Sequence, residues 1–372
     1  MRILIIPSWY PTQRKTLLGC FFQEQAMALA ERGHEVCVFP LYVKGKDVPL
    51  DTPPCGGSYA EKPVFYRRLP LHLTYFSVVL GLVREMHSHY RGMKPDIIHV
   101  HSFRAAKYAR ALKLLFGVPY IITEHSTWFE RGKLSKRQKK EASKAFNCAS
   151  AVIAVSSGLR NVIAPLCRKE VRVVPNMVEE RFFGALREEL PVRPFRFISV
   201  AFLRQKKGID VLLRAFVKVR EEYPGTELTI CGNGDQQETL QQLSHELKLD
   251  DCVTFTGRVS REECAANLRR SHAFVLPSRH ETFGIVYVEA MACGLPIVMT
   301  KTNAWEMLAM PETGLAVSID DEAALAEAMG RMIRDFARYD ARTVSEYCRD
   351  RFSADAVCRD ITAVYQSVVN PD

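Results

Sequence analysis

Two glutamates, Glu281 and Glu289, stand with seven residues between them in "SRHETFGIVYVEAMACGLPIV", residues 278–298. The run they bracket is otherwise mostly apolar, and an ordinary buried helix would not carry two carboxylates there. A carboxylate accepts two hydrogen bonds at once, which is what the vicinal hydroxyls of a ribose or hexose offer. Gly284, between them, lets a ligand approach the backbone closely. Free N–H groups at a helix start, with the positive end of the helix dipole, suit a phosphate or sugar hydroxyls. The chemistry to expect is therefore recognition of a sugar or a phosphate ester. His99, His101 and His125 close or follow apolar runs ("DIIHVH", "IITEHS"). No cysteine or acid stands at ligand spacing from them, so they read as hydrogen-bonding groups rather than metal ligands.

Such residues need elements to hold them. "AFVLPS" reads as a strand, "RHETFG" as the loop after it, "IVYVEAMAC" as a helix stopped by Gly294, and "LPIVMT" as the next strand. Glu281 then lies on a loop at the carboxyl edge of a sheet, and Glu289 about a turn and a half inside the helix. The same alternation fills the chain. "RILIIPS", "HEVCVFPL", "PDIIHVH", "PYIITEH", "SAVIAVS" and "VRVVPN" are strands of a first half. "FRFISVAFL", "ELTICGNGD" and "CVTFTG" begin a second, with helices such as "GIDVLLRAFVKVREEYPG" between them. Near-continuously apolar strands separated by helices imply parallel sheets covered on both faces. Two such series imply two doubly wound α/β domains, with ligands at the carboxyl ends of the strands. The stretch 184–194 is the linker candidate. Its bounds are set at 186–194, between a domain over 1–185 and one over 195–348, with 349–372 a helix expected to pack back on the first domain.

Composition agrees. At 372 residues the chain exceeds the size at which one core usually stops growing. No charged-then-apolar leader opens it, and the longest apolar run outside strands, residues 71–83, falls short of the ~20 needed to span a bilayer. A cytoplasmic protein is expected. Eleven scattered cysteines without C-x-x-C read as buried thiols in a reducing compartment. The net charge of +9 is uneven: residues 1–190 hold 29 Lys and Arg against 16 Asp and Glu, and residues 191–372 hold 22 against 26. The densest stretch, from Arg131 to Lys144, carries seven cations and one acid. It fits an anionic surface, and peripheral contact with the inner face of the cytoplasmic membrane is the expectation. No stacking platform or helix-turn-helix pattern accompanies it, so nucleic acid is not an expected partner. "ICGNGD" lacks the third glycine of a dinucleotide fingerprint, which argues against a dehydrogenase.

With these motifs in order, the chain resembles family 4 glycosyltransferases over essentially its whole length. "GCFFQEQAMALAERGHEV" resembles the family's first glycine loop and helix, "DIIHVHSF" the strand ending in its active-site histidine, and "VVPNMVEERFF" the turn before the linker. "LRQKKGID" resembles the phosphate-binding R-x-x-x-x-K-G region, "ICGNGD" the following glycine turn, and the stretch 278–298 its E-x7-E region. The resemblance implies the GT-B fold, two Rossmann-like domains facing across a cleft. It implies donor contacts from Gly19, Arg204, Gly232, Phe283, Gly284, Ile285 and Glu289, with Glu289 on the ribose hydroxyls. It implies catalytic roles for His101 on the sugar, Lys207 on the diphosphate and Glu281 on the transferred sugar. The family's arginine falls on Phe202; Arg204, expected to share its strand's facing, lies two residues on. The implied reaction is retaining and metal-independent, with no cofactor. It moves a hexose-type sugar from a nucleotide-diphosphate sugar to a saccharide or lipid-linked acceptor, in envelope or exopolysaccharide biosynthesis. The alternatives are a non-catalytic nucleotide-sugar-binding protein and an epimerase or hydrolase of the same fold.

Overall fold

The computed structural model describes the chain except residues 17, 51–58, 71–72, 131, 189–190, 192 and 372 and the side chain of residue 130. Arg131, the start of the basic stretch, the first residues of the apolar run 71–83 and parts of the linker candidate therefore lie outside the described residues. The rest divides into two compact units: Met1–Val155, Leu159–Met177 and Val357–Asp372 form the first, and Ser156–Gly158 with Val178–Ala356 the second.

The first unit begins β1 (Arg2–Pro7), α1 (Cys20–Glu31), β2 (Glu35–Val38), β3 (Leu41–Val43), β4 (Ala60–Glu61) and β5 (Val64–Tyr66). It continues α2 (Leu73–Tyr90), β6 (Ile97–His101), α3 (Ala106–Phe116), β7 (Tyr120–Glu124), α4 (Thr127–Glu130) and α5 (Lys136–Cys148). Next come β8 (Ala151–Ala154), α6 (Ser157–Ile163) and β9 (Val171–Val173). Seven strands make a parallel sheet in the order β4-β2-β1-β6-β7-β8-β9, and β3 pairs with β5 apart from it. Ile3 to Ile6 are wholly buried, the pattern of a strand covered on both faces by helices. Strand order reverses at β1 and β6, whose carboxyl ends lie side by side with Pro7 opposite His101. At such a switch point the loops after adjacent strands diverge to opposite faces and leave a crevice.

The second unit repeats the plan with β10 (Arg196–Val200), α7 (Ile209–Glu222), β11 (Glu227–Cys231), α8 (Gln237–Glu246), β12 (Val253–Gly257) and α9 (Arg261–Arg269). It continues β13 (Ala273–Leu276), α10 (Ile285–Ala292), β14 (Ile297–Thr300), α11 (Trp305–Leu308), β15 (Gly314–Val317), α12 (Glu322–Arg334) and α13 (Ala341–Phe352). Its parallel sheet has the order β12-β11-β10-β13-β14-β15, with the switch point at β10 and β13. Helix starts are locally encoded: Ser135 with Gln138 at α5, and Ser260 with Glu263 at α9, form reciprocal capping boxes.

The described part of the linker candidate is tied to the second unit. The Arg187 N–H donates to the Cys293 carbonyl at 2.7 Å and the Glu188 N–H to that of Arg269 at 2.8 Å. The last helix, α14 (Ala354–Val369), gives its residues from Val357 onward to the first unit, where Tyr365 is fully buried. Ten cysteines are described; all are free thiols and seven are buried.

Candidate functional site

The loops leaving β10 and β13 carry the second unit's candidate residues, and the switch point explains why they meet. After β10 the chain turns at Gln205–Lys207, and Gly208, at φ 67°, opens α7. After β13 it runs to Gly284, which opens α10. Lys207 Nζ and Glu281 Oε2 form an ion pair across these loops, with side chains only 12% and 11% exposed. Arg279 fastens the two loops together. Its backbone N–H donates to the Lys206 carbonyl at 2.8 Å, and its guanidinium grips Asp210 bidentately at 2.8 and 2.7 Å. Burial alone would raise the Asp210 carboxyl, but hydrogen bonds and charge from Arg279 win and hold it below its ordinary value. A cation thus sits fixed at the carboxyl edge beside the start of α7, an arrangement suited to a diphosphate.

Glu289 projects from the second turn of α10 and is 1% exposed. Arg261, the first residue of α9, donates from Nη1 to Glu289 Oε1 at 2.6 Å and from Nε to Glu179 Oε1 at 2.8 Å. Burial raises the Glu289 carboxyl above the ordinary range, and Arg261 opposes the rise. Two glycines are dictated by packing. A Cβ on Gly232, at φ 131°, would lie 1.9 Å from the Ala201 carbonyl oxygen, so the β10 and β11 loops touch only because it has none. A Cβ on Gly284, at φ 84°, would lie 2.5 Å from the Tyr287 ring and 2.9 Å from Glu281 Cγ. The close approach at Gly284 is therefore one of protein to protein. Phe283 packs its ring on Phe352 with centroids 5.7 Å apart, and Ile285, the first residue of α10, is partly exposed.

One expectation holds only in its facing. Arg204 does not lie on a strand: β10 ends at Val200, and Arg204 is an exposed residue preceding the 205–207 turn. Phe202 is likewise 53% exposed. Pairing nevertheless continues past the assigned strand, the Ala201 N–H donating to the Cys231 carbonyl at 3.0 Å and the Leu203 N–H to that of Asn233 at 2.9 Å, so Arg204 keeps the exposed facing of Phe202. The side chains that sequence reasoning missed are Arg261, Glu179 and the Arg279–Asp210 clamp. Only the capping box hinted at Arg261, by placing it at a helix start.

In the first unit Gly19, at φ 82°, opens α1, and His101 ends β6. His101 Nδ1 lies 3.0 Å from His125 Nε2, and the His101 ring packs on Phe22 at 4.4 Å. His101 Nε2 is buried and has no hydrogen-bond partner among the described residues. Burial first, then the neighbouring histidines, push the His101 pKa well below 6.5, so the ring is neutral and one of its nitrogens must accept. His99 differs. Both its nitrogens are engaged, by the Tyr365 hydroxyl and Thr123 Oγ1 at 2.7 Å each, and burial lowers it to about 3. Among the described residues no group of three or more His, Cys, Asp or Glu could hold a metal ion.

Two family models match the chain: "Glycosyltransferase Family 4" over residues 21–182 and "Glycosyl transferases group 1" over residues 185–348. The chain belongs to glycosyltransferase family 4. The relatives of this family 4 enzyme include the glycogen synthase of Mycobacterium tuberculosis, 27% identical over 380 residues, covering 95% of this chain and 91% of that one. Sucrose-phosphate synthase from Thermosynechococcus elongatus matches its structure with a TM-score of 0.81 at 20% identity, over 100% of both chains. Anabaena HepE in complex with UDP matches with a TM-score of 0.81 at 19% identity, over 99% and 100%. These likenesses establish the GT-B fold for the two parallel-sheet units, and the chain is a glycosyltransferase.

Proposed function

We propose that this glycosyltransferase takes a hexose-type sugar from a nucleoside-diphosphate sugar, with retention of anomeric configuration and without a metal. The acceptor is a saccharide or a lipid-linked saccharide, in cell-envelope or exopolysaccharide assembly. The observation that carries the reading is the Lys207–Glu281 pair fixed at the switch point of the second sheet, with buried Glu289 on the helix that follows. Lys207 would meet the diphosphate as Glu281 turns to the transferred sugar. An ammonium held there stabilises the charge that grows on the departing diphosphate. Glu289, steadied by Arg261, would take the ribose hydroxyls. The backbone at Gly232, Phe283, Gly284 and Ile285 would line the donor, and Gly19 would shape the loop that opens α1 for it. Exposed Arg204 would add positive charge by the phosphates. His101 Nε2 would accept a hydrogen bond from a sugar hydroxyl. A solved relative holding UDP agrees with a nucleoside-diphosphate donor.

In the step so derived, the bond from the anomeric carbon to the diphosphate oxygen breaks through an oxocarbenium-like state. The acceptor hydroxyl oxygen bonds that carbon from the same face, and its proton passes to the leaving diphosphate. Glu281 and Glu289 are not a glycosidase pair, since one is assigned to ribose. Lys133, Lys136, Arg137, Lys139, Lys140 and Lys144 would place the protein peripherally on the inner face of the cytoplasmic membrane; no described helix is long and apolar enough to cross it.

Thermal unfolding against nucleoside diphosphates and their sugars tests the donor. A ligand at a hundred times its dissociation constant adds about 2.7 kcal/mol, so one base should raise the melting point clearly. Silence across the panel would favour the non-catalytic reading. Once the donor is identified, the product's anomeric proton coupling gives the stereochemistry, and an inverted product would refute retention. Turnover abolished by EDTA would refute independence from metal.

A further inference from the structure

The first unit contains a second concavity, unrelated to the donor residues. A cavity of about 580 Å³ runs between α3 and α5, within the range of ~300–1,000 Å³ usual for small-molecule sites. On α3, Lys107, Arg110 and Leu114 follow one another at spacings of three and four, so they share a face turned to the groove. Ala106, Ala111 and, across on α5, Ala145 keep the floor open, where larger side chains would close it. Phe103 and Tyr120 complete an apolar base, and Tyr75 from α2 stands at the rim, stacked on Tyr108 at 5.8 Å.

The rim is basic. Arg104, Lys107, Arg110 and Lys144 line it, and none of them pairs with a carboxylate among the described residues. Glu141, the one acid in the lining, is engaged by Arg137 at 3.1 Å. Arg104 is steadied over the Trp128 ring at 4.6 Å. Four cations around a concavity with one committed acid form a strong anion site. A soluble anion would account for the cations alone. It would not account for the large apolar side chains left in water at the end of α3: Leu114, which lines the groove, is 77% exposed, and Leu115 next to it 61%. Exposed leucines at the end of a groove with an alanine floor and a basic rim match an amphipathic anion.

We propose that this groove binds a lipid-linked phosphate, its anion held by Arg104, Lys107, Arg110 and Lys144 and its first methylenes lying on the alanine floor toward Leu114. The inference rests on the reading of a lipid-linked acceptor and names where the first unit would hold it. The groove starts at Phe103 and Arg104, two and three residues past His101, so an acceptor anchored there reaches the carboxyl end of β6.

The test is calorimetric titration of the full chain with dodecyl phosphate below its micellar concentration. Dodecyl maltoside supplies the chain without the charge, and glycerol 3-phosphate the charge without the chain. Dodecyl phosphate should bind at least about tenfold tighter than either, as expected when charge-assisted hydrogen bonds and apolar burial both contribute. The double variant K107E/R110E should lose about tenfold or more of that affinity, and Ala111→Leu, which fills the floor without touching charge, should lose it too. Equal affinity for dodecyl maltoside would overturn the anion site, and equal affinity for glycerol 3-phosphate would overturn the lipid. Undiminished binding by K107E/R110E would remove the groove itself. Stabilisation of the same variants by nucleoside diphosphates is read in parallel, so a failed donor reading and a failed groove give different results.

Discussion

Arg261→Ala isolates the physical role of the most buried acid in the site. Arg261 is the group that opposes the upward push of burial on the Glu289 carboxyl, and Glu289 has a side chain 2% exposed. Breaking a fully buried ion pair costs ~3–5 kcal/mol, and an exposed one ~0–1 kcal/mol. Arg261 is 34% exposed, so solvent already screens part of the interaction and the expected loss is ~2–3 kcal/mol. For a unit of this size that lowers the melting temperature by ~4–12 °C. Glu179, the second partner, keeps Arg181 at 2.6 Å and adds little to the cost. The sign of the pH dependence follows from linkage. A carboxyl raised in the folded state binds protons there that the unfolded chain has lost. Stability therefore falls as pH rises from the ordinary carboxylate value through the raised one. Without Arg261 the Glu289 carboxyl rises further, so the variant's deficit should be smaller at pH 5 than at pH 8. The double variant R261M/E289Q, which removes both charges, should recover most of the loss. Thermal melts of the three proteins at the two pH values decide it. A deficit equal at both, or a double variant as unstable as the single, would refute the account of a buried carboxylate held by one guanidinium.

Lys207→Met should weaken nucleoside-diphosphate binding by ~10–100-fold, the worth of one charge-assisted contact, and titration calorimetry that finds unchanged affinity would dismiss its place at the diphosphate. The same variant removes the ion pair that Glu281 makes with Lys207 at 11% exposure, so its ligand-free melting point should also fall. Gly232→Ala places a Cβ 1.9 Å from the Ala201 oxygen and should destabilise the second unit by more than ~3 kcal/mol; a melting point within a degree of wild type would show that the loops can part. Glu289→Gln should cost donor affinity by ~1–3 kcal/mol, read by competition with a bound nucleotide.

Much of the fold was legible in the sequence because it is written locally. The parallel strands announce themselves as short apolar runs. The α10 segment lies between a turn and Gly294, so residue order alone puts Glu281 on a loop and Glu289 inside a helix. Side-chain partners could not be placed that way. Arg261 and Glu289 stand 28 positions apart and meet because α9 and α10 are neighbours, a fact of packing with no periodic trace. Arg279 reaches back 69 positions to Asp210 because β10 and β13 are adjacent across the switch point, which strand order decides and spacing does not. Arg204 stands outside β10, which ends at Val200, but its facing could be counted because the chain stays paired through Leu203 and exposure still alternates. The two glutamates that first mark the sequence are therefore each answered by a cation that the sequence does not place beside them. Lys207 meets Glu281 on loops, and Arg261 meets Glu289 between α9 and α10. The first pair is joined at a loop edge where an incoming phosphate can compete for the lysine. The second joins α9 to α10, with Glu289 buried and Arg261 open to solvent on one side.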